Sequence, residues 1–104
     1  MEKWPQYNQD DLKVFLEYLQ SVAKQDEQIV RIKIENERST DTEITIEPQG
    51  TGDYFPSGAI YEIVVLGKKN TAGFQIQIRD DGTIFVYHTS VGAIFHNGVA
   101  TLAH

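Results

Sequence analysis

Three histidines, His88, His96 and His104, stand eight residues apart. Imidazole is the side chain most suited to holding a transition metal or moving a proton near neutral pH. A tetrahedral metal site needs its ligands to converge to about 2 Å from one ion, and a spacing of eight along strands and turns brings no three rings to a point. No carboxylate pattern accompanies them, so neither a metal site nor a cofactor is assigned. A general base must have an acid or a nucleophile within hydrogen-bond reach. The available groups, Asp53, Glu62 and Ser90, are scattered in the chain, and no catalytic residue is assigned; His88 reads instead as a histidine satisfied on a core face. Asp80-Asp81-Gly82 lacks the ligand series of a calcium loop and has the composition of a turn. Gly50-Thr51-Gly52 lacks the lysine of a phosphate loop and the third glycine of a dinucleotide fingerprint. With no cysteine in 104 residues, disulfides, thiolate metal sites and cysteine nucleophiles are excluded.

Recognition is better represented than catalysis. Phe74, Ile76 and Ile78 alternate with Gln75, Gln77 and Arg79, the two-residue period of a strand with two unlike faces. A three-residue turn at Asp80-Asp81-Gly82 places Arg79 opposite Thr83, and counting outward sets Gln77 against Phe85 and Gln75 against Tyr87. One face of this hairpin is then Phe74, Ile76, Ile78, Ile84, Val86 and His88, a core face. The other is Gln75, Gln77, Arg79, Thr83, Phe85 and Tyr87: two aromatics among amides, with one cation and no carboxylate. The register depends on the turn, because a slip of one residue exchanges the faces.

The remaining elements must position that face. Leu12, Phe15, Leu16, Leu19, Val22 and Ala23 recur at helical spacing, with Asn8 as N-cap, Asp11 answering it and Tyr7 stapled onto Leu12. Ile29 to Glu35 and Thr42 to Glu47 each alternate and read as a hairpin whose wet face pairs Arg31 and Lys33 with Glu43 and Glu47. Residues 48–59, rich in Gly and Pro, read as a long loop holding Tyr54 and Phe55, either a lid over the core or a contact loop. Ile60 to Leu66 is apolar except for Glu62, which suits a central strand buried on both faces. The helix can cover only one of those faces, so the C-terminal segment, a second copy or a partner is needed for the other. Asn97-Gly98 predicts a type I′ hairpin near the C-terminus; a short helix capped by Ser90 and ending at Gly98 is the alternative, disfavoured by Gly92.

These elements amount to an α+β fold: one N-terminal amphipathic helix packed on an antiparallel β-meander of five to seven strands, residues 1–104 forming a single domain. The formal net charge of −6 argues against nucleic acid as a partner. Residues 1–52 hold 11 acidic and 6 basic side chains and residues 53–104 hold 4 and 3, so the half containing the aromatic hairpin is nearly neutral. Interface cores are depleted in charge and enriched in aromatics. No apolar run approaches the roughly 20 residues of a membrane span, and the N-terminal residues lack a signal-peptide pattern; a cytoplasmic protein is expected. The functional expectation is a non-catalytic protein-binding module of inhibitor, immunity or adaptor type. It would use Gln75, Gln77, Arg79, Phe85 and Tyr87 to dock a protein partner or a second copy in a homodimer. Two alternatives stand beside it: a small-molecule-binding domain or small enzyme with a pocket lined by Tyr54, Phe55, Tyr61 and His88, and a structural subunit of a larger assembly.

Overall fold

The computed structural model describes residues 11–47, 50–69, 74–88 and 91–101, without the side chains of Thr51, Phe74 and His88. These residues form one helix, α1 (Asp11–Val22), and eight strands. The strands are β1 (Glu27–Glu35), β2 (Thr42–Glu47), β3 (Thr51–Phe55), β4 (Ile60–Lys68), β5 (Phe74–Ile78), β6 (Ile84–His88), β7 (Gly92–His96) and β8 (Val99–Ala100). The α+β class stands, with the helix on antiparallel-dominated strands. The strands divide into two sheets, ordered β1-β4-β7-β8 and β3-β2-β6-β5. They do not run as one meander, and the two halves of the second sheet join through a parallel pairing of β2 with β6.

Burial accounts for this division. Along β4 the residues alternate between two separate cores. Tyr61, Ile63 and Val65 join Ile44, Ile46, Phe55, Ile84, Val86 and Ile94 between the sheets. Val64 and Leu66 point the opposite way and meet Phe15, Leu19, Ala93, Phe95 and Ala100 under the helix. A strand buried on both faces has to lie between two covers, and β4 does, flanked by β1 and β7 in its own sheet. The expected missing cover is supplied from within the chain by the second sheet. Three layers result: helix, first sheet, second sheet.

The expected hairpin of residues 29–47 does not form. β1 pairs antiparallel with β4 over nine residues, Glu27↔Lys68 to Glu35↔Ile60, and β2 leaves for the other sheet. Arg31 therefore pairs with Glu62, Nε to Oε2 at 2.6 Å, and not with Glu43 or Glu47. The expected loop at 48–59 instead contains β3, which pairs with β2 from Thr42↔Phe55 to Ile46↔Thr51. On the helix, Phe15 and Leu19 are fully buried, whereas Val22, at the end of the stripe, is 40% exposed. The cap and staple assigned to Asn8 and Tyr7 lie outside the described residues. Asp11 is buried and its Oδ2 accepts from the Ala100 amide at 2.9 Å, while the Leu12 amide donates to the Gly98 carbonyl. The start of α1 is thus tied to the β7–β8 hairpin. That hairpin turns at Asn97 (φ 55°) and Gly98 (φ 83°), the two left-handed residues a type I′ turn requires, and the alternative helix is absent.

The β5–β6 hairpin has the register read from its turn, Phe74↔His88 to Ile78↔Ile84, closed by the Arg79 amide donating to the Thr83 carbonyl. Gly82 takes φ 89° there, a left-handed conformation that favours glycine, and the Arg38 guanidinium lies over it. Ile78 departs from the expected core face: at the end of the edge strand β5 it borders an open groove with Ile34 and Ile84 and is 71% exposed. Among the described residues no helix is long and apolar enough to cross a membrane.

The packing predicts a sharp contrast between two apolar truncations. Phe95→Ala removes a ring that is 1% exposed and whose centroid lies 5.4 Å from that of Phe15, and should lower the unfolding free energy by about 3–5 kcal/mol. Ile78→Ala should change it by no more than about 0.5 kcal/mol. Urea unfolding of the two variants measures both.

Candidate functional site

Two features of the described surface carry chemistry beyond packing: the outer face of the second sheet, and a cleft at the edge between the sheets.

The outer face is built by strand alternation. Ile44, Ile46, Ile84 and Val86 point inward, so Glu43, Thr45 and Glu47 of β2 and Phe85 and Tyr87 of β6 point outward. The antiparallel register adds Gln75 opposite Tyr87 and Gln77 opposite Phe85, and Arg79 follows at the end of β5. The five residues expected to form a binding face therefore share one side of one sheet. Phe85 and Tyr87 stack at 6.2 Å with 19° between their planes, and the Arg79 guanidinium sits 4.0 Å from the Phe85 ring centroid, a cation–π geometry. The Tyr87 hydroxyl donates to Gln77 Oε1 at 3.1 Å. Both aromatics are half-buried by these neighbours and by the adjoining strands.

The expectation that this face has no carboxylate needs correction. The parallel register sets Thr45 beside Phe85 and Glu47 beside Tyr87, so β2 contributes an acidic row on the side of β6 away from Arg79. Gly52 lies opposite Thr45, and even a Cβ there would come within 3.2 Å of Thr45 Oγ1. The Thr45–Gly52 row is consequently low beside the projecting ring of Phe85.

The cleft, of about 310 Å³, lies where β3 of the second sheet faces the β7–β8 hairpin of the first, and is lined by Asp53, Tyr54, Tyr61, His96, Val99, Ala100 and Thr101. Tyr61 is held from both ends. Its hydroxyl donates to the Tyr54 carbonyl at 2.6 Å, and its ring packs on Phe55 at 4.6 Å and on His96 at 5.2 Å. Burial pushes the Tyr61 phenol above its ordinary pKa, with the negative charge of Asp53 and then the neighbouring Tyr54 adding to the effect. Tyr54, 59% exposed, donates its hydroxyl to Asp41 Oδ2. That bond, followed by the Ser57 amide on Oδ1, holds the Asp41 carboxyl below the usual carboxylate range. Asp53 Oδ1 accepts from the Tyr54 amide at 2.9 Å. Asp53 Oδ2 and Thr101 Oγ1 are buried, and among the described residues neither has a hydrogen-bond partner.

Of the residues expected to line a pocket, Tyr54 and Tyr61 do. Phe55 is fully buried behind Tyr61 and contributes support. His88 lies at the end of β6 with its side chain outside the described residues, and the nearby imidazole is that of His96. Asp53, His96, Val99 and Thr101 come together only because β7 pairs with β4 and β8 folds back on β7. The type I′ turn signal at Asn97-Gly98 was the available clue to His96 and Val99; nothing local marks Asp53 as their neighbour. Among the described residues no group of three or more His, Asp or Glu side chains is placed to hold a metal ion.

The chain matches no protein-family model, and neither the search of curated proteins nor that of solved structures returned a match. The functional reading therefore rests on the geometry above.

The position of Tyr61 predicts an alkaline effect. Its proton is held more tightly in the folded than in the unfolded chain, so the unfolded state releases it first as pH rises past the ordinary tyrosine value of 10.0. Stability that is fully present below that pH is lost through the folded pKa. Tyr61→Phe, which cannot ionise, should be less stable than the parent at about pH 8 through loss of the bond to Tyr54, yet should lose less stability between about pH 8 and 11. Lys68 and Tyr54, whose pKa values are also raised, have the same sign in both proteins and cancel in the comparison. Urea midpoints at the two pH values measure the difference.

Proposed function

We propose that this chain is a non-catalytic protein-binding module that docks through the outer face of its second sheet, and that the partner on this face is a second copy of the chain. The observation that supports this reading is the complementarity of the two flanks of β6, which lie in matching rows. On one side β2 presents Glu43, Thr45 and Glu47; on the other β5 presents Arg79, Gln77 and Gln75, in register with Thr45 and Phe85 as the middle row.

A two-fold axis lying in the interface along β6 exchanges those flanks. Arg79 then meets Glu43 of the second copy, Gln77 meets Thr45 and Gln75 meets Glu47, while Phe85 and Tyr87 meet their own counterparts. This is the self-complementarity that an isologous interface requires. The low Thr45–Gly52 row accepts the long Gln77 side chain, and the aromatic strip provides a central apolar anchor of the kind that dominates binding energy. Two sheets packed this way lie about 10 Å apart with their strands about 30° from parallel. The reading is a homodimer in a reducing compartment such as the cytoplasm, consistent with a chain without cysteine. Inhibitor and adaptor roles fit the same module, with the paired face as its assembly surface.

Sedimentation equilibrium across a concentration range tests the pairing. The parent should dimerise. Arg79→Glu, which sets Glu against Glu43, should weaken the dimer at least tenfold, as should Glu43→Arg; the double exchange should restore it, since each substitution supplies the opposite charge the other removed. A chain that stays monomeric throughout, or a double exchange that restores nothing, would defeat the reading.

A further inference from the structure

We infer that the cleft between β3 and the β7–β8 hairpin is a binding site for a small organic cation, a primary or methylated ammonium carrying a short apolar group. This site is distinct from the paired face and independent of it.

Among the described residues the fold leaves two polar groups in this cleft unsatisfied. Burying a carboxylate oxygen or a hydroxyl without a hydrogen-bond partner costs free energy, more for the carboxylate than for the hydroxyl. Asp53 Oδ2 and Thr101 Oγ1 are both in this condition, both are cleft residues, and they come from opposite sheets. Asp53 accepts only, so what completes it must be a donor; Thr101 can donate or accept. An anion is disfavoured by the carboxylate, and among the described residues no three His, Asp or Glu side chains converge on the cleft.

The walls specify the rest of the ligand. Tyr61 and His96 pack against each other in the cleft wall, centroids 5.2 Å apart at 44°, with the Tyr61 ring held by its bond to the Tyr54 carbonyl. An aromatic wall beside a carboxylate favours an ammonium group over an uncharged one. Val99 and Ala100 line the cleft with apolar surface against which a short alkyl group can lie. A volume of about 310 Å³ stands at the small end of ligand sites, and the net charge of −6 raises the local concentration of cations generally.

The test uses the full chain, labelled with ¹⁵N, titrated with n-butylammonium chloride while backbone amide shifts are followed. Uncharged n-butanol and sodium chloride serve as controls. Saturable shifts are expected at Tyr54, Tyr61, His96 and Thr101, with n-butanol at least tenfold weaker and sodium chloride without effect. Asp53→Asn should weaken n-butylammonium binding at least tenfold while leaving the melting temperature unchanged or higher, because it removes the charge from a buried oxygen without a partner and keeps the Oδ1 that accepts from the Tyr54 amide. Thr101→Val, which keeps the shape of the side chain, should weaken it several-fold and serves as the reporter should Asp53→Asn fail to fold. Shifts that do not saturate, that n-butanol reproduces, that fall elsewhere, or that survive in the variants would overturn the assignment and leave the cleft as a hydrated gap.

Discussion

The structure depends on one strand having no solvent side. From Tyr61 to Leu66, β4 sends alternate side chains into two cores, and Ile63, Val64, Val65 and Leu66 are each no more than 2% exposed. Each such side chain contributes about 1.5–3 kcal/mol on burial, so a single cover would leave half of the strand's apolar surface in water. The helix covers one face with Phe15 and Leu19. The other face forces the chain to build a second sheet, and the chain does so by leaving the first sheet twice, for β2–β3 and again for β5–β6, returning first as β4 beside β1 and then as β7 beside β4. The parallel contact between β2 and β6 is where the two excursions meet.

Repeated passage between sheets creates crossings that polar groups must hold. Asn36, buried at 4% exposure, ties the passage after β1 to the one before β4. Its amide nitrogen donates to the Thr40 and Phe55 carbonyls, its Oδ1 accepts from the Arg38 amide, and its backbone bonds Ala59 and Gly58. An aspartate there would lose both side-chain donations, and an alanine all three side-chain bonds. On the opposite edge of the first sheet Asp11 does comparable work, engaging the Ala100 amide on the edge strand β8 and so closing part of an edge that would otherwise be open to further pairing.

Local patterns told most of the elements and little of their partnership. The stripe from Leu12 to Leu19, the period-two runs at Ile29, Thr42 and Phe74, the continuous apolar run at Ile60 and the Asn97-Gly98 turn are each set by residues a few positions apart, and each corresponds to an element. The register of β5 against β6 was legible because a three-residue turn fixes it. The pairing of β1 with β4 and of β2 with β6 was not, because alternation marks a strand as two-faced without saying which strand lies beside it. Residues 51–55 were hidden for another reason: Gly52 and Asp53 are poor strand formers, and β3 exists through its pairing with β2. The same limit decided the sites. The aromatic–amide face could be read from one hairpin, whereas its acidic flank and the assembly of Asp53, His96 and Thr101 depend on contacts between distant segments.

The layer order explains why the two proposed sites do not compete. Helix, first sheet and second sheet form a stack that is finished on one side by α1 and unfinished on the other. Pairing through the second sheet makes the stack symmetric, with the helices outermost and four sheets between them. In that arrangement the surface that closes is the outer face of β2, β6 and β5. Asp53 lies on the inner face of β3, opposite Ile44, and the cleft opens sideways between the layers, at an edge that sheet-to-sheet pairing leaves clear. Alternation along β3 separates the two roles at neighbouring positions: Asp53 turns inward to the cleft, while the exposed Tyr54 ties its hydroxyl to Asp41 and its carbonyl to Tyr61. A cation bound at Asp53 would therefore act on the paired face only through the backbone of β3 and β2, a path two strands wide that ends at Glu43 and Thr45.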